Sequence, residues 1–185
     1  MRISYAASEP ADPSQEAIYE RIKERRKPRP LIPLDLALLH NPNIADGFNT
    51  LMGAIRSKST LNLAAMEMAV CYVAVLNKAV YEWTAHAPLA LKAGARRDAL
   101  EAILHDDVKN SAVLTEEEID VLDFTYQSTK EIEVRESLMD KLKARYTERQ
   151  VMELAMTVAG YNMVSRFLVS LDVTESNGKE MKMPE

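Results

Sequence analysis

Cysteine is almost absent from the chain, since Cys71 is the single thiol in 185 residues. One thiol excludes an internal disulfide framework and any metal site built from several thiolates. No stretch reaches the ~20 apolar residues that a membrane-spanning helix needs, and the opening residues MRISYAASEPADPSQE lack the apolar segment of a secretory signal. Basic residues are dispersed except for those from Lys23 to Lys27, so we expect no nucleic-acid surface. Together these absences predict a cytoplasmic protein that binds neither membrane nor nucleic acid.

Helix-compatible sequence fills most of the chain. Hydrophobic residues make up 47% of it, which is enough for one buried core, while glycine occurs only five times. Apolar residues recur at helical spacing, and the alternation of valine, isoleucine and threonine that is typical of strands is hard to find. We therefore predict an all-α, single-domain bundle of several helices.

The ends of the chain differ from its middle. Residues 1–27 predict an N-terminal extension with one charged helix, which begins at Asp12 with Gln15 in capping-box position and ends before Pro28. Residues 28–173 carry the apolar helical pattern of the main domain. Residues 174–185 are polar and offer no apolar face, so we expect a flexible tail that frays or drapes over a neighbour.

Capping residues predict where several helices of the main domain begin and end. Asn77 is placed to cap a helix that stops at Gly94, because glycine readily takes the left-handed conformation that ends a helix. Two later helices should open with capping boxes, formed by Thr115 with Glu118 and by Thr147 with Gln150.

Three residues are candidates for acid–base chemistry. Glu82 and His86 are four positions apart, so on one helix their side chains lie on the same face and can act together in proton transfer. Glu67 lies in the apolar segment NLAAMEMAVCYVAVL, which implies burial. A buried carboxylate must find a partner or keep its proton, and either outcome shifts its pKa as active sites require.

Each candidate also has a purely structural interpretation. His86 can be a core histidine that binds a carbonyl group, and Glu82 alone is typical of a solvated helix residue. Tyr81 and Trp83 flank Glu82 and are interpreted either as core or subunit contacts or as a wall of an apolar pocket. An isolated cysteine such as Cys71, among valine, alanine and leucine, usually behaves as a small hydrophobic residue.

The segment EMAVCYVAVLNKAVYEWTAHAPLALKAG resembles the signature of the carboxymuconolactone decarboxylase and alkylhydroperoxidase D-like superfamily. In the peroxidase branch a glutamate precedes a CxxC pair and a histidine. Aligning that histidine on His86 places the glutamate on Glu67 and the two cysteines on Ala79 and Glu82. Because neither sulfur is present, disulfide cycling is excluded, and the pattern looks like the decarboxylase branch. The resemblance extends over residues 28–173.

This resemblance implies a helical subunit that forms homo-oligomers, commonly trimers or hexamers, with active sites near subunit contacts. The activity it implies is decarboxylation, without cofactor or metal, of a small carboxylated lactone, β-keto acid or aromatic polyketide-type acid. His86 would donate the proton, oriented by Glu67 or Glu82. Candidates for substrate binding are Tyr161 and Asn162 for an enolate oxygen and Arg56 for a carboxylate, besides Tyr81 and Trp83.

Two alternatives use the same residues differently. An isomerase or cyclase would protonate a similar enolate without loss of carbon. A non-catalytic oligomeric protein would keep the fold and use the pocket only to bind a ligand. We also expect packing between helices to be as good an interpretation of Tyr161 and Asn162 as substrate binding.

Overall fold

The computed structural model describes residues 1–185 and contains no strand, so the all-α prediction is confirmed. Short 3-10 turns lie at Pro13–Gln15 and Val173–Glu175, and a π-helical turn lies at Gln127–Glu131. The nine α-helices are α1 (Glu16–Arg26), α2 (Pro33–Leu38), α3 (Pro42–Lys58), α4 (Leu63–Leu76), α5 (Val80–Lys92), α6 (Arg97–Leu104), α7 (Glu116–Tyr126), α8 (Glu136–Arg145) and α9 (Glu148–Leu171).

The chain forms two compact units. The first comprises Met1–Lys58 with Leu171–Glu175, and the second comprises Ser59–Ser170 with Ser176–Glu185. In the first unit α1 and α2 pack against α3. Arg26 of α1 donates two hydrogen bonds of 2.7 Å to the buried Asp35 of α2, which joins these helices. The domain boundaries that we drew from the sequence, at residues 28 and 174, stay a prediction.

The start of the first helix differs from expectation. Asp12 accepts a hydrogen bond from the backbone N–H of Ser14 at 2.9 Å and so caps the 3-10 turn that precedes α1. The side chain of Gln15 makes no capping bond, because Gln15 is already part of that turn. The predicted capping box was wrong, although the helix does begin after Asp12 and end before Pro28.

Helix α4 is the centre of the second unit. It packs against α5, α6 and α7, and every side chain from Met66 to Ala74 is buried. A helix with neighbours on all sides is apolar all round, which explains why this segment lacks a polar face. Helix α6 was not predicted from the sequence, because it has only eight residues and no side-chain cap, although it buries Ala99, Leu100 and Ile103.

The turn between α4 and α5 is built differently from the prediction. Asn77 does not cap α5 but ends α4, since its backbone N–H donates to the Val73 carbonyl. Lys78 takes a positive φ of 57°, and the Ala79 N–H then donates to the Ala74 carbonyl at 2.8 Å. The other caps are confirmed: Gly94, at φ 101°, follows the end of α5, and both capping boxes form at Thr115 with Glu118 and at Thr147 with Gln150.

The polar tail lies along the second unit. Met181 and Met183 pack against its core, and the indole N–H of Trp83 donates to the Lys182 carbonyl at 2.8 Å. Helix α9 has the length and apolar composition of a membrane-crossing helix, but half of its most apolar segment is buried inside the protein. That burial is what the core helix of a folded domain shows.

A buried amide fixes α9 against the end of α4. Asn162 donates to Thr129 Oγ1 at 2.9 Å and to the Val158 carbonyl at 3.0 Å, and its Oδ1 accepts from Asn77 Nδ2 at 2.9 Å and from Arg166. The side chain therefore ties α4, the π-helical turn and α9 together.

Replacing this amide by N162A should lower the free energy of unfolding by about 1–3 kcal/mol, because the buried Thr129 hydroxyl would lose its donor and Asn77 Nδ2 would lose one of its two acceptors. Urea denaturation measures the loss. A matched control is N110A, since the exposed Asn110 makes one long bond of 3.4 Å to Asp107, and it should change stability by less than about 0.5 kcal/mol. Equal stability of the two variants would contradict the role of Asn162.

Candidate active site

A buried carboxylate and an imidazole meet between α4 and α5. Glu67 Oε2 lies 2.6 Å from His86 Nδ1, and the side chains are 2% and 12% exposed, respectively. Glu67 is buried because α4 is surrounded by other helices, and His86 occupies the side of α5 that faces it. The sequence left open which carboxylate would orient His86, and the structure shows that it is Glu67.

This contact determines which imidazole nitrogen is basic. When Nδ1 carries a proton and donates it to a carboxylate, the neutral ring keeps its lone pair on Nε2. A hydrogen bond to an ionised acceptor at 2.6 Å is short and charge-assisted, so it holds the ring in one orientation. The pair can therefore accept a proton at Nε2 and return it, with Glu67 stabilising the imidazolium form.

Tyr161 of α9 is the third member of the cluster. Its ring is buried, and its centroid lies 4.9 Å from that of His86 with the planes 81° apart. This edge-to-face arrangement is the favoured geometry of aromatic pairs, and it restrains rotation of the imidazole. Tyr161, one of the residues proposed for substrate binding, therefore contacts His86 directly.

Glu82 is buried one helical turn from His86 and has no hydrogen-bond partner on either carboxyl oxygen. The hydrogen bond that the spacing of Glu82 and His86 allowed is therefore not formed. Burial raises the pKa of Glu82 well above 4.5, the ordinary value for glutamate. Burial therefore favours the neutral form of this side chain, whereas Glu67 has a polar partner.

Cys71 faces Glu82 across the two helices. Helices α4 and α5 are antiparallel, and the contacts of Glu67 with His86 and of Ala74 with Ala79 fix their register. In this register a step forward along α4 corresponds to an equal step backward along α5, so Cys71, four residues after Glu67, lies opposite Glu82, four residues before His86. Burial raises the pKa of the Cys71 thiol, as do the charges of Glu67 and Glu82 at the alkaline pH where a thiol ionises. This pairing was not predicted, although Glu67 and Cys71 on α4 have the same four-residue spacing as Glu82 and His86 on α5.

The structure gives other contacts for two of the remaining predicted site residues and places the other two on their helices. Trp83 is a core residue with its N–H bound by the tail, and Asn162 is engaged in its own polar network. Tyr81 lies partly buried in the first turn of α5. Arg56 lies in the last turn of α3, in the first unit, and its interaction with a substrate carboxylate stays a prediction.

Solved structures share the fold at low sequence identity. A peroxidase-related protein from Ralstonia eutropha JMP134, described as an alkylhydroperoxidase AhpD core, is 20% identical with a TM-score of 0.78, over 93% of this chain and 90% of that one. A peroxidase-related protein from Silicibacter sp. TM1040 is 20% identical with a TM-score of 0.72, over 91% and 90%. A cysteine-to-alanine variant of the debrominase Bmp8, in complex with 2,3,4-tribromopyrrole, is 18% identical with a TM-score of 0.69, over 87% and 84%.

A family model adds evidence at the level of sequence. Residues 42–120 match the carboxymuconolactone decarboxylase family, and this range contains Glu67, Cys71, Glu82 and His86. No curated protein matches the chain. The family match over residues 42–120 and the helical fold shared with AhpD-like proteins both support the resemblance to the carboxymuconolactone decarboxylase and alkylhydroperoxidase D-like superfamily.

Proposed function

We propose that the protein is a cofactor-independent decarboxylase of a small carboxylated lactone, β-keto acid or aromatic polyketide-type acid. The observation that carries this proposal is the 2.6 Å contact between Glu67 and His86, buried between two helices. A carboxylate that holds an imidazole in one tautomer is the arrangement that general acid–base catalysis needs. The match of residues 42–120 to the carboxymuconolactone decarboxylase family, whose members act on small molecules, supports the same proposal.

The reaction needs one proton per turnover. The bond from the substrate to its carboxylate breaks, carbon dioxide leaves, and the electron pair moves into an enolate. The imidazolium form of His86 then donates its Nε2 proton to the carbon, and the neutral ring takes up a proton from the solvent, so that one proton is consumed for each carbon dioxide released. Glu67 keeps its charge throughout and stabilises the imidazolium before the transfer.

A thiol peroxidase is the activity that the names of two structural neighbours suggest. Disulfide cycling requires two thiols, but the chain has only Cys71, which is buried and has a raised pKa. We therefore favour chemistry at the Glu67/His86 pair. The neighbour that binds 2,3,4-tribromopyrrole supports a small molecule as the substrate of this fold.

We extend the proposal to a cytoplasmic homo-oligomer, a trimer or hexamer, without membrane or nucleic-acid partners. Helix α9 exposes Met152, Met156 and Met163, at a spacing that places them along one side of the helix, and such apolar surface is usually covered by a partner. Light scattering on purified protein should give three or six times the subunit mass of 20.8 kDa. A mass of one subunit would rule out the assembly.

Loss of either member of the pair should slow decarboxylation. H86A removes the proton donor and should lower kcat by about 10²- to 10⁴-fold. E67Q removes a charge-assisted hydrogen bond worth about 1.5–3 kcal/mol and should lower kcat by about 10- to 150-fold. Carbon dioxide release in single turnovers, over a panel of carboxylated lactones, β-keto acids and phenolic acids, measures both effects.

The controls for this experiment are H105A and D120N. His105 is an exposed histidine at the end of α6, and Asp120 is a buried carboxylate that pairs with Lys141 and Arg145. Neither control should change kcat per folded molecule. Unchanged turnover in both H86A and E67Q would refute the proposal, while a product of unchanged mass would identify an isomerase or cyclase, and return of every compound intact a binding protein.

The neutral state of Glu82 predicts how stability depends on pH. Below pH 4.5 the side chain is protonated in both folded and unfolded chains, but above it only the unfolded chain ionises, because the folded pKa is raised. The free energy of unfolding should therefore fall as the pH rises, by at most about 1.4 kcal/mol per pH unit from this group. E82Q should gain Tm relative to the parent protein between pH 5 and pH 8. A difference in Tm that stays constant over this range would contradict the assignment.

A further inference from the structure

Glu82 is a buried polar group that the proposed reaction does not yet use. Both its oxygens are inaccessible and lack hydrogen-bond partners. An unsatisfied buried polar group costs about 1–3 kcal/mol, so native structures rarely keep one without a reason. Packing alone gives none, because an apolar side chain of similar size would fill the same space without that cost.

The position of Glu82 relates it directly to the Glu67/His86 pair. Glu82 and His86 lie on the same face of α5, one helical turn apart, so their side chains are neighbours. On the facing helix, Cys71 lies one turn beyond Glu67 and opposite Glu82. The interface thus has two layers: an ionisable pair that is 12% exposed at His86, and a deeper layer formed by a thiol and an unpartnered carboxyl group.

Both carboxyl oxygens are enclosed in the described structure, so we propose that substrate binding between α4 and α5 exposes Glu82, which then acts as a catalytic residue whose carboxyl O–H donates a hydrogen bond to the enolate oxygen. This inference rests on the proposed function and narrows the substrate class to β-oxo acids, in which the carboxylate is attached to the carbon next to a ketone or lactone carbonyl. In such a substrate the carbon that receives a proton and the oxygen that gains charge are separated by one carbon atom. The side chains of Glu82 and His86 are neighbours on one face of α5, which suits the short distance between this carbon and this oxygen.

Glu82 and His86 then act on different atoms of the substrate. When carbon dioxide leaves, the electron pair spreads from the carbon onto the carbonyl oxygen, and Glu82 O–H donates a hydrogen bond to that oxygen without giving up its proton. The proton on carbon comes from His86 Nε2, and the carbonyl re-forms as the carbon is protonated. A carboxyl group kept neutral by apolar surroundings can stabilise an enolate in this way, because it can donate where an ionised carboxylate can only accept.

Phenolates provide a probe that does not depend on decarboxylation, since a phenolate oxygen imitates an enolate oxygen. Isothermal titration calorimetry with a series of substituted phenols measures their affinity for the parent protein, E82Q and E82L. E82L should weaken binding by about 100-fold, the loss that follows removal of one oxyanion donor. E82Q keeps an N–H donor and should lose about tenfold, while D120N should bind as the parent protein does.

The same variants separate this inference from the proposed function. Carbon dioxide release from a β-oxo acid should fall by about 100-fold in E82L, with E82Q between E82L and the parent protein. Normal turnover and phenolate binding in E82L would overturn the role of Glu82 and leave the Glu67/His86 mechanism intact. Phenolate binding that depends on Glu82, in a protein that releases no carbon dioxide from any acid, would support the oxygen-binding role and reject decarboxylation.

Discussion

The antiparallel contact between α4 and α5 determines the arrangement of the candidate site. One hydrogen bond of 2.6 Å joins Glu67 to His86, and the bond from Ala79 to Ala74 at the turn fixes the same register about two helical turns away. A shift of either helix by one residue would turn the imidazole away from the carboxylate. The burial of α4 on all sides keeps water from competing for this contact, so the pair retains its orientation.

The same burial has opposite consequences for the two glutamates. Glu67 has His86 as a partner, which compensates part of the cost of placing a carboxylate among apolar helices. Glu82 lies in equally apolar surroundings without a partner, so its neutral form is favoured. Two chemically identical side chains thus have different electrostatic environments, because one of them forms a hydrogen bond and the other does not.

Local signals in the sequence predicted much of the fold but not its long-range contacts. The caps at Thr115 and Gly94 were predictable because each depends on residues a few positions away. Asn77 was wrongly assigned as the cap of α5 because its amide binds Asn162, which is 85 positions further along the chain. For the site, spacing placed Glu82 and His86 on one face, yet it could not show that the partner of His86 comes from the preceding helix.

Because the chain lacks a thiol pair, the face of α5 that carries Glu82 and His86 cannot support disulfide cycling. At the two positions where the peroxidase pattern has cysteines, the chain has Ala79 and Glu82, and Cys71 lies on the facing helix, beside the carboxyl group. A buried thiol with a raised pKa remains protonated, so this layer offers neutral donors and no nucleophile. Neutral donors next to an imidazole suit a reaction that develops negative charge on oxygen and ends with a proton on carbon, which is the chemistry of an enolate.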